Sequence, residues 1–242
     1  MERYGKGLFW VIGIIVLIML IQMPVPKTSD ETWEATWSLP LSGKTIVIDP
    51  GHGGVDGGAV GKDDTLEKDI ALAVSKKLQS YLQQSGALVY LTRQSDKDLA
   101  DEETKGLSKR KVEDIRKRMD FIHEKNADFF VTIHLNATPS TKWRGAQSFY
   151  YPKSDESRHL AKMIQAEIIR NLENTNRSAL AINNLYLLKN AEVPGTLVEI
   201  GFLSNVEERE QLKQEEYQRQ MAGSIYEGIL RYVTEEPEEA EE

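Results

Sequence analysis

His52 in the turn Asp49-Pro50-Gly51-His52-Gly53-Gly54, Glu67 in Leu66-Glu67-Lys68-Asp69, and His134 in Thr132-Ile133-His134-Leu135-Asn136-Ala137 supply two imidazoles and one carboxylate. That donor set suits zinc, a borderline-soft and redox-inert cation, and three protein ligands leave a fourth position for water. Glu199, in Val198-Glu199-Ile200-Gly201-Phe202, is then the base that activates the water. An acid inside such an apolar run is costly when ionised unless a cation or metal faces it. Zinc acts on a scissile carbonyl as a Lewis acid and brings the pKa of its water to about 7, so the chemistry expected is hydrolysis at neutral pH.

Each residue alone has a duller explanation. Glu67 stands three positions after Asp64 and fits the acid of a helix capping box. His52 fits a turn residue, and His134 a strand-end histidine bonded to a carbonyl. His123 and His159 lie on helical stretches among charges and are expected to be solvated surface. Other chemistries lack their motifs. The chain has no cysteine, which excludes a thiol nucleophile, disulfides and Cys-based metal sites. No Gly-Lys-Ser/Thr follows the glycine-rich turn and no dinucleotide fingerprint is found, and with neither a Gly-x-Ser-x-Gly elbow nor a His-Glu-x-x-His helix, neither a serine hydrolase nor a zincin is indicated.

To position these groups the chain must alternate strands and helices. Thr45 to Ile48 is a β-branched apolar run ending at Asp-Pro-Gly, the pattern of a strand buried on both faces. Leu66, Ile70, Val74, Leu78 and Leu82 recur every fourth residue in a helix closed near Gly86. Further strands are predicted at Leu88 to Leu91, Phe129 to Ile133, Ala146 to Tyr151, Leu185 to Leu188 and Thr196 to Ile200. Further helices are predicted through Leu107, Ile115, Met119 and Ile122, through Leu160, Ile164, Ile168 and Leu172, and through Tyr217, Met221, Ile225 and Ile229. The expected fold is α/β, a single twisted, mostly parallel sheet with helices on both faces. In such sheets ligands bind beyond the carboxyl ends of the strands, where His52, His134 and Glu199 fall and which Glu67 reaches from the first turn of its helix.

Charge and the chain ends bound location and partners. Of the net charge of −8, six charges belong to Glu235, Glu236, Glu238, Glu239, Glu241 and Glu242, leaving a near-neutral body with no footprint for nucleic acid. Arg3 and Lys6 precede an apolar run from Leu8 to Leu20, and no small-x-small cleavage site follows, which predicts export and favours an uncleaved membrane anchor. The expected organisation is an export or anchor segment over residues 1–27, a linker over 28–43, a catalytic domain over 44–233 and an acidic disordered tail over 234–242.

The segments around His52, Glu67 and His134, together with Val198-Glu199-Ile200-Gly201-Phe202-Leu203-Ser204-Asn205, resemble the zinc-dependent N-acetylmuramoyl-L-alanine amidases, over roughly residues 44 to 232. Ser38 to Lys44, Gly145 to Tyr151 and Ile229 to Tyr232 extend the likeness to the spore-cortex, germination-specific members. The resemblance implies His52, Glu67 and His134 as zinc ligands and Glu199 as catalytic acid/base. It implies cleavage of the amide between muramic acid and L-alanine in peptidoglycan, here as a step toward muramic δ-lactam. The family's wall-binding repeats are not found, so targeting is expected from the N-terminal segment or an accessory, activating protein. By donor set alone, a zinc exopeptidase or a silent wall-binding protein is the alternative. Asn136 and Asp49 are candidates for orienting the ligands, and Trp143 and Arg144 for contacting glycan or peptide.

Overall fold

The computed structural model describes Met19 and residues 39–237. The export segment expected over residues 1–27, save Met19, most of the linker and the end of the acidic tail lie outside them. No helix among the described residues is long and apolar enough to cross a membrane.

The elements run β1 (Thr45–Pro50), α1 (Glu67–Gln84), β2 (Leu88–Leu91), α2 (Leu107–Glu124), β3 (Phe129–Asn136), β4 (Gln147–Tyr150), α3 (Asp155–Leu172), β5 (Leu180–Ala181), α4 (Tyr186–Asn190), β6 (Gly195–Phe202), α5 (Val206–Leu212) and α6 (Glu215–Thr234). They form one six-stranded sheet in the order β2-β1-β3-β6-β4-β5. β1 runs parallel to β2 and β3, β3 parallel to β6, and β4 parallel to β5, while β4 and β6 are antiparallel. The antiparallel member follows from its connection. No helical crossover separates β3 from β4, and without one the chain cannot return to start a parallel strand.

Strand alternation divides the core between the two faces. Ile46, Ile48, Val131, Ile133, Val198 and Ile200 join one large apolar cluster with Val74 and Leu78 of α1, Leu160 and Ile164 of α3, and Ile225 and Ile229 of α6. Val47, Phe130 and Leu197 point the other way, against Met119 and Ile122 of α2 and Leu187 and Leu188 of α4. The central strands are therefore apolar at successive positions, as expected for a sheet covered on both faces.

Two expectations fail here. Leu185 to Leu188 is not a strand but leads into the short helix α4. A short apolar run does not distinguish strand from buried helix by period, and β6 already has β3 and β4 as neighbours, so the segment instead seats Leu187 and Leu188 beneath α2. His159 is buried, not solvated: its Nε2 lies 3.0 Å from the Glu235 carbonyl and its ring 5.5 Å from that of Tyr232, because the end of α6 folds over α3. His123 is half-buried, and its Nε2 is fully buried without a partner among the described residues. Neither α5 nor β5 was expected.

Candidate active site

The carboxyl ends of β1, β3 and β6 bring the four sequence-nominated residues to one edge. Asp49, Thr132, His134 and Glu199 share the sheet face of Val47, Phe130 and Leu197 by strand alternation, and His134 stands directly beside Glu199 in the β3–β6 register. His52 lies two residues past β1 with a left-handed φ of 59°. Glu67 opens α1, but its side chain caps nothing: Leu66 is the cap residue and makes no side-chain cap bond. The Glu67 carboxylate instead accepts from Ala59 N (2.6 Å) and Leu135 N (2.9 Å). The capping-box explanation is therefore excluded.

The two histidines converge on that carboxylate. His134 Nδ1 is 2.8 Å from Glu67 Oε1, His52 Nε2 is 3.2 Å from Glu67 Oε2, and the two rings meet edge to face at 5.0 Å. One ligand atom from each residue lies within 4.8 Å of the others, a grouping able to hold a metal ion. In a tetrahedral zinc site with bonds of about 2.0–2.1 Å, ligand atoms stand roughly 3.3 Å apart, close to these separations. Burial opposes ionisation of Glu67, yet His134 and His52 hold its carboxyl well below the usual range. Burial likewise disfavours a charged His52, but Glu67 and Asp56 outweigh it and raise its pKa.

Asp56 was not anticipated. Its Oδ2 accepts from His52 Nδ1 at 2.8 Å, which turns Nε2 toward Glu67, and its Oδ1 accepts from Lys111 Nζ at 2.9 Å and Gly58 N at 3.2 Å. A carboxylate behind a ligating imidazole fixes tautomer and ring orientation in this way. Two buried arginines grip the turn through its carbonyls. Arg93 donates to Pro50 O (3.0 Å), Gly51 O (2.8 Å) and Lys68 O (2.7 Å), and Arg118 to Pro50 O (2.7 Å) and His52 O (2.6 Å). Asp49 does not touch the cluster; it accepts from Thr92 Oγ1 (2.6 Å), Thr132 Oγ1 (2.7 Å) and Arg118 Nη1 (2.7 Å). Asn136 contributes its carbonyl, which accepts from Leu203 N at 2.8 Å. The space is kept open by missing side chains: a Cβ at Gly51 would stand 2.7 Å from His134 Nε2, and one at Gly58 2.6 Å from His52 Cδ2.

Glu199 is the odd member. Its Oε2 is buried without a hydrogen-bond partner among the described residues. Burial pushes its pKa up to about 7, with His134 opposing, Glu67 adding and His52 opposing. A buried oxygen with no donor beside a cluster of potential ligand atoms fits a site able to hold a cation. A cleft of about 230 Å³ opens on the α2 side, lined in part by His52, His134, Lys111, Ile115 and Leu185. A larger cavity of about 370 Å³, near Lys44 and Asp128 where β1 and β3 begin, contains none of the four nominated residues.

The sheet and its covering helices thus set a His/Glu/His group able to hold a metal ion at the carboxyl edge of the strands. The sequence model of N-acetylmuramoyl-L-alanine amidases matches residues 46–231, so the chain belongs to that family and is a cell-wall N-acetylmuramoyl-L-alanine amidase. Within it, the germination-specific N-acetylmuramoyl-L-alanine amidase of Bacillus subtilis (strain 168) is 52% identical over 235 residues, 97% of this chain and 98% of that protein. The amidase LytC of the same organism is 32% identical over 195 residues, 80% of this chain but 36% of its own length. Among solved structures, the CwlD amidase from Clostridioides difficile in complex with the GerS lipoprotein matches with a TM-score of 0.78 and 43% identity, covering 80% of this chain and 100% of that one. The resemblance carried by the sequence motifs is thus membership, and the α/β expectation holds as a single mixed sheet with helices packed around it.

Proposed function

We propose that this amidase is zinc-dependent, with His52, Glu67 and His134 holding the ion and Glu199 as acid/base, and that it acts on spore cortex as a step toward muramic δ-lactam. The observation that carries the metal reading is the cluster itself: two imidazole nitrogens face one buried carboxylate at 2.8 and 3.2 Å, an arrangement that needs a proton or a cation between the partners. The cortex assignment is supported by the germination-specific relative. The structure of the Clostridioides enzyme with a lipoprotein supports an accessory partner for this chain too, and the apolar run from Leu8 to Leu20 a membrane anchor. Peptidoglycan lies outside the cytoplasmic membrane, so the enzyme works there.

Zinc bound by these residues supplies Lewis acidity toward the scissile carbonyl and the attacking water. The residues do the rest. Asp56 and Lys111 hold His52 in one tautomer, and Arg93 and Arg118 hold the turn that carries it. Glu199 takes a proton from water as its oxygen attacks the muramic lactyl carbonyl, then returns that proton to the L-alanine nitrogen as the C–N bond breaks. A carboxyl poised near neutrality is suited to both transfers.

Incubating the protein with peptidoglycan and reading muropeptides by mass spectrometry tests this. The expected products are stem peptides beginning with L-alanine, absent after the ion is stripped with a chelator and restored by zinc. Undiminished release from metal-free protein would sink the zinc assignment. Gly51→Ala is expected to fold but to bind zinc at least about 10-fold more weakly, because its methyl displaces the His134 ring. Calorimetric titration with zinc measures this, and wild-type affinity would mean that the ring is free to move aside.

A further inference from the structure

Trp143 and Arg144, in the loop between β3 and β4, and Arg177, in the loop before β5, are unused by the mechanism. The Arg177 guanidinium lies 5.7 Å from the Trp143 ring centroid and 5.0 Å from that of Phe202, so aromatic surface fixes its position. Its only hydrogen bond among the described residues is a long one, Nη1 to Gly145 O at 3.4 Å, and it makes no direct ion pair there, although its charge acts on the buried Glu208 carboxylate. Arg144 is exposed, and its one ion pair among the described residues is with the exposed Glu207 at 3.5 Å, a pairing worth little in water. Trp143 is 56% exposed.

Backbone and side-chain bonds tie these loops to the strand that carries Glu199. Gln147 pairs with Glu199 across β4 and β6, and its Nε2 donates to Ser178 O at 3.0 Å, which ties the residue next to Arg177 to the acid's strand neighbour. Phe202 follows Glu199 on β6, and Glu208 accepts from both Phe202 N (2.9 Å) and Gly145 N (2.8 Å), joining the Trp143–Arg144 loop to the end of that strand. A guanidinium held by its rings and short of acceptors is a fixed fork for a carboxylate. Stacking of a sugar is disfavoured on the Trp143 face that Arg177 already covers.

We propose that Arg177, assisted by Arg144, binds a free carboxylate of the stem peptide and makes this amidase selective for acidic peptides; this rests on the amidase reading. The test uses the full chain with Arg177→Met, which keeps apolar contact with the rings, and Arg177→Lys, which keeps the charge. The two substrates are one muramoyl peptide with free carboxylates and the same peptide with carboxamides in their place. For Arg177→Met, KM toward the acid is expected to rise about 10- to 100-fold with kcat little changed, while KM toward the amide stays put. Arg177→Lys is expected to recover part of the loss. Equal losses on both substrates would make Arg177 a structural brace and overturn the proposal. Calorimetric binding of both peptides to the Glu199→Gln protein repeats the comparison without turnover. An inactive wild-type enzyme would count against the amidase reading alone, whereas absence of an Arg177-dependent preference in binding would overturn the carboxylate site.

Discussion

Glu199→Gln is expected to bind zinc as the wild type does and to lose about 10²- to 10⁴-fold in kcat, the usual worth of a positioned proton-transfer group. The amide has the shape of the acid but cannot take the water's proton. Because Glu199 belongs to none of the close contacts among His52, Glu67 and His134, metal affinity should survive where turnover does not. Stability adds a second readout. In metal-free protein burial raises the Glu199 pKa to about 7, above its unfolded value of roughly 4.3, so the folded state binds the extra proton and loses stability as pH rises through about 7. Glutamine removes that cost. The metal-free variant is expected to melt above the wild type at pH 8 and level with it at pH 4. Zinc titration, muropeptide release and melting at the two pH values measure these separately. Near wild-type turnover would remove Glu199 from the mechanism.

The sequence made the edge legible because each nominated residue interrupts a strong local pattern. His52 stands in a glycine-rich turn directly after an apolar strand, His134 breaks the run of β3, and Glu199 breaks that of β6. Glu67 was ambiguous in one dimension, since a capping acid and a ligand occupy the same place at a helix start; the Leu66 cap and the distances to His52 and His134 separate them. The supports were harder to read. Arg118 sits among other basic residues and Arg93 in a polar loop, and nothing in their spacing shows that they turn inward toward carbonyls of a distant turn. Asp56 had a signal, four residues after His52 within the glycine-rich stretch, but turn aspartates are common and its partner Lys111 lies 55 residues further on. The failed strand at Leu185 has the same origin: only the occupied edges of β6 exclude it from the sheet.

Arg118→Met is expected to cost about 3–5 kcal/mol, the range for breaking a buried ion pair from one side. At roughly 2–4 °C per kcal/mol for a domain of this size, melting should fall by about 6–20 °C. Arg118 is buried with two carboxylates, Asp49 at 2.7 Å and Asp114 at 2.9 Å, and also satisfies the carbonyls of Pro50 and His52. Methionine fills space but leaves those acceptors without their donor. The pH dependence identifies Asp49 as the main partner. Burial pushes the Asp49 carboxyl upward, but Arg118, Thr92 and Thr132 outweigh it and hold the pKa at about 2. That depressed pKa contributes stability which is present above the unfolded value of about 3.9 and is lost as pH falls through about 2. The deficit of Arg118→Met should therefore be full at pH 7 and shrink as pH falls toward 2, because burial without Arg118 lets Asp49 take up its proton earlier in the variant than in the wild type. Adding Asp49→Asn should recover part of the loss at pH 7, since it removes the stranded charge. Urea unfolding of the three proteins across this range measures the effect; a deficit independent of pH would mean that the carbonyl bonds, rather than the ion pair, set the worth of Arg118. Zinc affinity separates the site from the fold, because Arg93 still donates to Pro50 and Gly51 and keeps part of the turn in place while Arg118's bond to the His52 carbonyl is lost.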